Sequence, residues 1–378
     1  MGKFEDIHSL PLTAAFDRGP AKYFHGRKKI LENFDELVER AAQSNTGTTL
    51  LIQGAPGAGK TALLYELASH AQNTKWDVVK IDLRSLYDPV AMAQDMGKPY
   101  IARKQSSISG DAKILSTERT KEISGLVSVK HVLREMASEK GLILVLDEAQ
   151  QINTFVGSPN EADVTDSLTK IHNGDLEKPI ILLVGGLGTT SKSFELLGIS
   201  RFARNCFVNL GALSEESERA VIFDWLTKEG NAKGDPTIWI DAIVGETHGW
   251  PQHILSYAKP AVNQLKVDGG AMTPEGLTAV LKAGIDGKIE YYERRVDDFS
   301  RKQCRSLVNL ITNANVSADH GLDEEDIMDS LKQECGEAKA RELFHNALHR
   351  GLLHKHKGMY TIPIPSMHTW LQEEYGRE

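Results

Sequence analysis

The sequence predicts an α/β unit with a mostly parallel sheet, then a helical unit, then a small C-terminal unit of helices and one hairpin. Three observations predict it. Short apolar runs alternate with helical patterns up to about residue 211. A glycine-rich turn, Gly54-Ala55-Pro56-Gly57-Ala58-Gly59-Lys60-Thr61, joins the first of those runs to a helix. After about residue 212 the strand-like runs stop, and helical periodicity continues until a hairpin pattern near the end.

From Arg27 onward Ile30, Leu31, Phe34, Leu37 and Val38 recur at helical spacing. TTLLIQ (48–53) reads as a buried parallel strand, and TALLYELASHA as the helix after the turn. WDVVKIDL (76–83), GLILVLDEAQ (141–150), KPIILLVGG (178–186) and NCFVNL (205–210) supply four further strands. VKHVLREMASEK (129–140) and FELLGISRFAR (194–204) are helical patterns between them. The segment 98–125 is poorly patterned, Ser/Thr-rich, and carries Arg103, Lys104, Lys113, Arg119 and Lys121. So long a loop inside a compact unit is expected to be functional or disordered.

In the helical unit, Ser214 opens a helix whose first turn holds Glu215 and Glu216, which suit the positive end of the helix dipole. Three more helical patterns follow, each with proline near its first turn. The C-terminal unit reads as RKQCRSLVNLITNA, DEEDIMDSLKQEC and EAKARELFHNALHRGLL, then the hairpin HKHKGMYTIPIPS and a last helical turn, MHTWLQEEY. The expected organisation is therefore 1–211, 212–298 and 299–378.

Composition excludes several classes. The chain has 378 residues, 40% of them hydrophobic and 25% charged, an ordinary globular balance. No apolar run approaches bilayer-spanning length, the N-terminus lacks a signal-peptide pattern, and Asp6 breaks a myristoylation pattern. Cys206, Cys304 and Cys335 are far apart, so neither a zinc site nor a disulfide framework is expected; a reducing cytoplasm is. The net charge of −8 argues against a strongly cationic nucleic-acid binder, although a local basic patch is compatible with it.

The chemistry concentrates in two places. The turn fits the phosphate-binding loop Gly-x-x-x-x-Gly-Lys-Thr in full. Its backbone N–H groups would wrap a phosphate, and the helix that begins at Lys60, Thr61 and Ala62 adds its positive dipole end. Lys60 is expected to reach the terminal phosphates of ATP, and Thr61 to ligate Mg²⁺. The pair Asp147-Glu148 ends an apolar strand, at the sheet edge where ligands bind. Asp147 is expected to hold Mg²⁺ and Glu148 to activate the attacking water, which points to hydrolysis and not to binding alone.

The phosphate loop, the strand ending Asp147-Glu148-Ala149-Gln150, the five strands and the helical lid together resemble an AAA+ type ATPase of the broad group with origin-recognition, transposition-regulator and STAND relatives. The resemblance covers about residues 20–298. It implies a parallel sheet with the fourth strand between the first and third. It also implies a nucleotide held near Phe24-His25-Gly26-Arg27, with Gly26 and Arg27 close to adenine. A polar sensor belongs at the end of the fourth strand, where Thr189 follows a glycine-rich departure. An arginine acting on a neighbouring subunit belongs before the fifth strand, where Arg201 and Arg204 stand. The lid departs most: Gly249-Trp250-Pro251-Gln252-His253 stands where many relatives place a sensor arginine. It is similar to the G-x-P motif of STAND ATPases, in which the proline, here Pro251, approaches the base.

A C-terminal winged helix is also found in that group. Here the third helix and wing carry Lys339, Arg341, His345, His349, Arg350, His354, Lys355, His356 and Lys357. Against them, residues 299–378 hold ten Lys/Arg and twelve Asp/Glu, so the wing is only locally basic. Two functions stay open. One is an oligomeric ATPase that acts on DNA, or recruits a partner to it, in replication, transposition or mobile-element defence. The other is a STAND-like switch that binds a protein partner without DNA.

Overall fold

The computed structural model describes residues 21–96, 128–137, 140–199, 202, 206–314, 316–317, 320–356 and 358–376. The 98–125 segment, Arg201, Arg204 and Lys357 lie outside the described residues.

Strands β1 (Thr48–Gly54), β2 (Asp77–Lys80), β3 (Leu142–Leu146), β4 (Ile180–Gly186) and β5 (Phe207–Leu210) form one parallel sheet in the order β2-β3-β4-β1-β5. The fourth strand does lie between the first and third. β3 and β4 are buried along their whole length, which is why their sequences are unbroken apolar runs: helices cover both faces of the sheet. On one face α1 (Lys28–Ser44) and α2 (Lys60–Asn73) place Phe34, Leu37, Leu63 and Leu67 against Leu50, Ile143 and Ile181. On the other, α3 (Val129–Met136), α4 (Glu161–Asn173) and α5 (Thr190–Leu196) pack Leu133, Val164, Leu168 and Phe194 against Leu144 and Leu182. Truncating one such leucine to alanine costs about 2–5 kcal/mol. One expectation is corrected here. The helical pattern over 194–204 does not continue, because α5 ends at Leu196 and Gly198 takes a left-handed φ of 86°.

The helical region comprises α6 (Glu215–Asp224), continued by a wider turn over Trp225–Glu229, then α7 (Thr237–Thr247), α8 (Pro251–Val267) and α9 (Pro274–Val296). Ser214 caps α6, accepting from the Ser217 N–H at 3.3 Å while the two hydroxyls pair at 2.8 Å. Pro251 and Pro274 occupy first-turn positions, where a missing N–H costs nothing. Ile222, Leu226, Trp239, Ile243, Tyr257 and Leu265 form the core of this region.

The C-terminal region folds as α10 (Arg301–Ala314), α11 (Glu324–Cys335), α12 (Glu337–His349), the hairpin β6 (His354–His356) and β7 (Met359–Thr361), and α13 (Met367–Tyr375). A bridge from Leu322 to Tyr360 extends the hairpin by a third line of pairing. Three helices followed by such a hairpin are the arrangement of a winged helix. It does not hang free of the rest. One apolar cluster runs from α1 and α2 through Trp250, Tyr291 and Tyr292 to Leu352, Ile364 and Trp370. Cys206 and Cys304 are buried free thiols and Cys335 is a partly buried one. Among the described residues no helix is long and apolar enough to cross a membrane.

Candidate functional site

β1 ends at Gly54 and α2 starts at Lys60, so the loop between them turns at the carboxyl edge of the sheet. Gly57 and Gly59 take φ of 81° and 90°, conformations that side chains disfavour. Space matters as much. A Cβ on Gly57 would stand 2.8 Å from Gln252 Cβ, 2.9 Å from the Tyr291 hydroxyl and 3.0 Å from Trp250 Nε1. Ala55 and Ala58 point into the core, and the Ala58 N–H donates to the Ala55 carbonyl at 3.3 Å. Ala62 follows in the first turn of α2.

Lys60 is 8% exposed, and its ammonium donates to the carbonyls of Gly54 at 3.0 Å and Ala55 at 3.2 Å. Burial pushes its pKa down; the Glu148 and Asp147 carboxylates oppose that shift and the Arg295 charge adds to it. The Thr61 hydroxyl donates to Asp147 Oδ2 at 2.7 Å, so α2 and β3 bring the two expected metal ligands together. A hydroxyl and a carboxylate are hard oxygen donors that fit Mg²⁺.

Asp147 also accepts from the Glu148 N–H through Oδ1 at 2.9 Å. Glu148 itself is exposed and holds a left-handed φ of 53°, a strained state for a residue with a side chain. Its carboxylate is fixed by Gln150, whose amide donates to Oε2 at 2.7 Å. The other end of Gln150 accepts the Leu187 N–H at 3.2 Å. Gln150 therefore ties Glu148 to the end of β4, a link that the spacing of DEAQ alone does not reveal.

Thr189 stands half-buried just after β4 and serves as the N-cap residue of α5, without a side-chain capping bond. Its neighbour Thr190 is fully buried and donates to the Leu187 carbonyl at 2.7 Å. Pro251 sits over the loop, with Cγ 3.7 Å from where a Cβ on Gly59 would be. The Gln252 N–H donates to the Gly57 carbonyl at 3.2 Å, and the Tyr291 hydroxyl to the Pro56 carbonyl at 2.6 Å. The lid thus closes directly on the phosphate loop.

The N-terminal motif is a hinge clamp. The Arg27 guanidinium donates to the carbonyls of Gly211 and Ala212, where β5 runs into the lid, and burial pulls its pKa down to about 10. Gly26 lies against Ser217 of α6, His25 meets Asp224 at 2.9 Å, and Tyr23 donates to Glu229 at 2.8 Å. His253 is fully buried between Tyr291 and Tyr292, and burial lowers its pKa to about 3. A neutral, packed ring excludes a phosphate-facing role for it.

The winged helix also reaches the site. A Cβ on Gly351 would strike Pro56, and one on Gly188 would strike His354. Two expectations about the basic wing change as a result. His354 is 7% exposed and faces the ATPase core, and Arg350 pairs with Asp297 and Asp298 after α9. Lys339, Arg341, His345, His349 and Lys355 remain exposed.

A protein-family model described as AAA ATPase domain matches residues 23–164. No curated protein matches the chain. Among solved structures, the Walker-type ATPase paby2304 of Pyrococcus abyssi is similar over 97% of this chain and 100% of that chain, at 16% identity and a TM-score of 0.58. The ORC2 protein of Aeropyrum pernix, in its ADPNP-ADP complexes and its ADP form, is similar over 95% of this chain and 97% of its own, at 13% identity and a TM-score of 0.53. At such identities the likeness is one of fold. The domain match, the strand order and the loop seated against Asp147 agree: residues 23–164 carry an AAA type P-loop ATPase domain, and the chain as a whole shares the fold of these structures.

Proposed function

We propose that this ATPase uses nucleotide turnover to dock and release its C-terminal winged helix, and that the released winged helix engages duplex DNA or brings a partner to it. In this reading residues 1–211 are the ATPase core, 212–298 the lid and 299–378 the effector. The observation that carries it is the seating of the C-terminal region on the phosphate loop, with Gly351 against Pro56, and on the turn after β4, with His354 against Gly188. A change in that loop is felt by the effector without an intermediary.

ATP would lie between loop and lid. Lys60, now held by two loop carbonyls, would exchange them for terminal phosphate oxygens. Thr61 and Asp147 would hold Mg²⁺, which would offset the charge that develops on the phosphate. Glu148, oriented by Gln150, would take the proton of the attacking water. Pro251 would approach the base, Gly26 and Arg27 would set the hinge beside it, and Thr189 would face the terminal phosphate. Arg201 or Arg204 would complete the site of a neighbouring copy in a homo-oligomer.

DNA is favoured by the exposed Lys339, Arg341, His345 and His349 on α12, the helix that in winged helices enters the major groove, with Lys355 on the wing. A second reading, a STAND-like switch that docks a protein, is favoured by Arg350 being committed to Asp297 and Asp298 and by the exposed acids Asp323, Glu324, Glu325 and Asp326 at the start of α11. ATPase rate with and without duplex DNA, at two salt concentrations, separates them. The DNA reading predicts stimulation and binding that weakens steeply with salt. No stimulation and no salt-dependent binding would overturn it.

A further inference from the structure

Two adjacent tyrosines of α9, Tyr291 and Tyr292, are both buried, and their hydroxyls reach different parts of the molecule. The Tyr291 hydroxyl donates to the Pro56 carbonyl of the phosphate loop at 2.6 Å. The Tyr292 hydroxyl donates to the Pro365 carbonyl at 2.8 Å, just before α13 of the C-terminal region. Neighbouring residues of a helix project about 100° apart, so a single turn of α9 holds both contacts at once. Burial raises the pKa of both hydroxyls, that of Tyr291 to about 12, and so keeps both as donors.

The first contact acts on the loop itself. Among the described residues no peptide bond is cis, so the Pro56 carbonyl and the Gly57 N–H point to opposite sides of one planar unit. A carbonyl held by Tyr291 turns the Gly57 N–H away from that hydroxyl, and this N–H is one of those expected to wrap a phosphate. The second contact reaches a place that Gly351 and His354 do not. Pro365 follows the hairpin, and Ser366 after it takes a left-handed φ of 61° as the chain enters α13. The rings are packed together: His253 meets Tyr291 and Tyr292 edge-on at 5.8 and 5.4 Å, and Trp370 of α13 lies 5.3 Å from Tyr292. Close-packed interiors transmit strain, so a shift of α9 is not absorbed at one tyrosine alone.

We propose that Tyr291 and Tyr292 are positioning residues that couple the phosphate loop to the C-terminal region through α9. Phosphate bound by the Gly57 N–H shifts the peptide that Tyr291 holds, the Tyr291 bond carries that shift to α9, and Tyr292 passes it to Pro365 and the start of α13. This rests on the Lys60 loop being the nucleotide site. It adds to the direct contacts a second route, which ends at a different point of the winged helix. The two hydroxyl bonds act in series, so each is needed for a signal at Pro365. Only Tyr291 touches the loop, so only its hydroxyl bears on nucleotide affinity.

The test is hydrogen exchange of the full-length chain with and without a saturating non-hydrolysable ATP analogue and Mg²⁺, alongside analogue affinity and melting temperature. Tyr291→Phe and Tyr292→Phe keep the rings and remove the hydroxyls. In the wild type, residues 362–372 are expected to change protection when the analogue binds. Each variant should lose most of that change, and the double variant no more than either alone, the signature of links in series. The change at 350–356 should persist in Tyr292→Phe. Affinity should fall by about twofold to tenfold in Tyr291→Phe, the size of one neutral hydrogen bond, and stay within about twofold in Tyr292→Phe. A full change at 362–372 in either variant, or losses that add in the double variant, would overturn the proposal; if one variant does not fold, the other decides. A wild-type chain that responds at 350–356 but not at 362–372 would overturn this proposal alone. Failure of the wild type to bind the analogue would instead strike the nucleotide-site reading.

Discussion

The phosphate loop has two sides, and they are built on different principles. On the sheet side the polar groups already have partners: Lys60 on two carbonyls, Thr61 on Asp147, Glu148 on Gln150. On the lid side the contacts are a backbone hydrogen bond from Gln252, a hydroxyl bond from Tyr291 and close packing from Pro251, and the Arg295 Nε is buried without a hydrogen-bond partner. In the proposed reading the sheet side is a preformed catalytic constellation, and the lid side a surface whose closure depends on what lies between. If that reading holds, substitutions on the two faces of this turn should have separable effects.

The largest effect is expected from Lys60→Ala. It removes the cation proposed to reach the phosphates, and steady-state ATPase should fall by about a thousandfold or more with nucleotide binding weakened. Glu148→Gln comes next. It should lower the rate by about a hundredfold to ten-thousandfold while ATP binding stays intact, so a trapped ATP-bound species should appear in a filter or fluorescence assay. A variant that hydrolyses at the normal rate would remove Glu148 as the base. Gln150→Ala leaves the carboxylate but frees it from β4. We expect about a tenfold drop in kcat with KM nearly unchanged, which separates orientation of the base from binding.

The smallest effect concerns the lid alone. His253 is neutral in the folded lid, with a pKa near 3, against about 6.5 when exposed. Its folded pKa is depressed, so its share of stability is fully present above about pH 6.5. That share is lost as pH falls toward 3, because only the unfolded chain takes up the proton. The slope approaches about 1.4 kcal/mol per pH unit, measurable by denaturant titration across that window. Replacing His253 with Phe should flatten that part of the profile without changing ATP affinity at neutral pH.

What could be read from the sequence follows the same division. Gly54 to Thr61 and Asp147-Glu148 are contiguous motifs, each next to a strand of unbroken apolar residues. Their identity and their place at the sheet edge were therefore legible, and the strand order followed from the resemblance they carry. Gln150 was visible in DEAQ, but its work depends on Leu187, which the chain brings alongside only when β4 pairs with β3. Tyr291 and Arg295 are far from the loop in sequence, and a helix ending YYERRV looks like any solvated turn until α9 is laid across the loop. The expected exposure of Arg350 and His354 failed for a related reason: the winged helix is docked, so two of its basic residues are spent on the rest of the molecule. The early end of α5 at Leu196 shows a local limit, since an apolar pattern ran on past a glycine whose left-handed backbone stops the helix.

The central claim is that nucleotide at the Lys60 loop governs whether the winged helix stays seated. Hydrogen exchange over residues 350–361, compared without nucleotide, with ADP and with a non-hydrolysable ATP analogue plus Mg²⁺, tests it most directly. The account predicts that the turn around Gly351 and the β6–β7 hairpin change protection with the ATP analogue, and that Lys60→Ala abolishes the change. Protection identical in all three states, in a chain shown to have bound nucleotide, would contradict it.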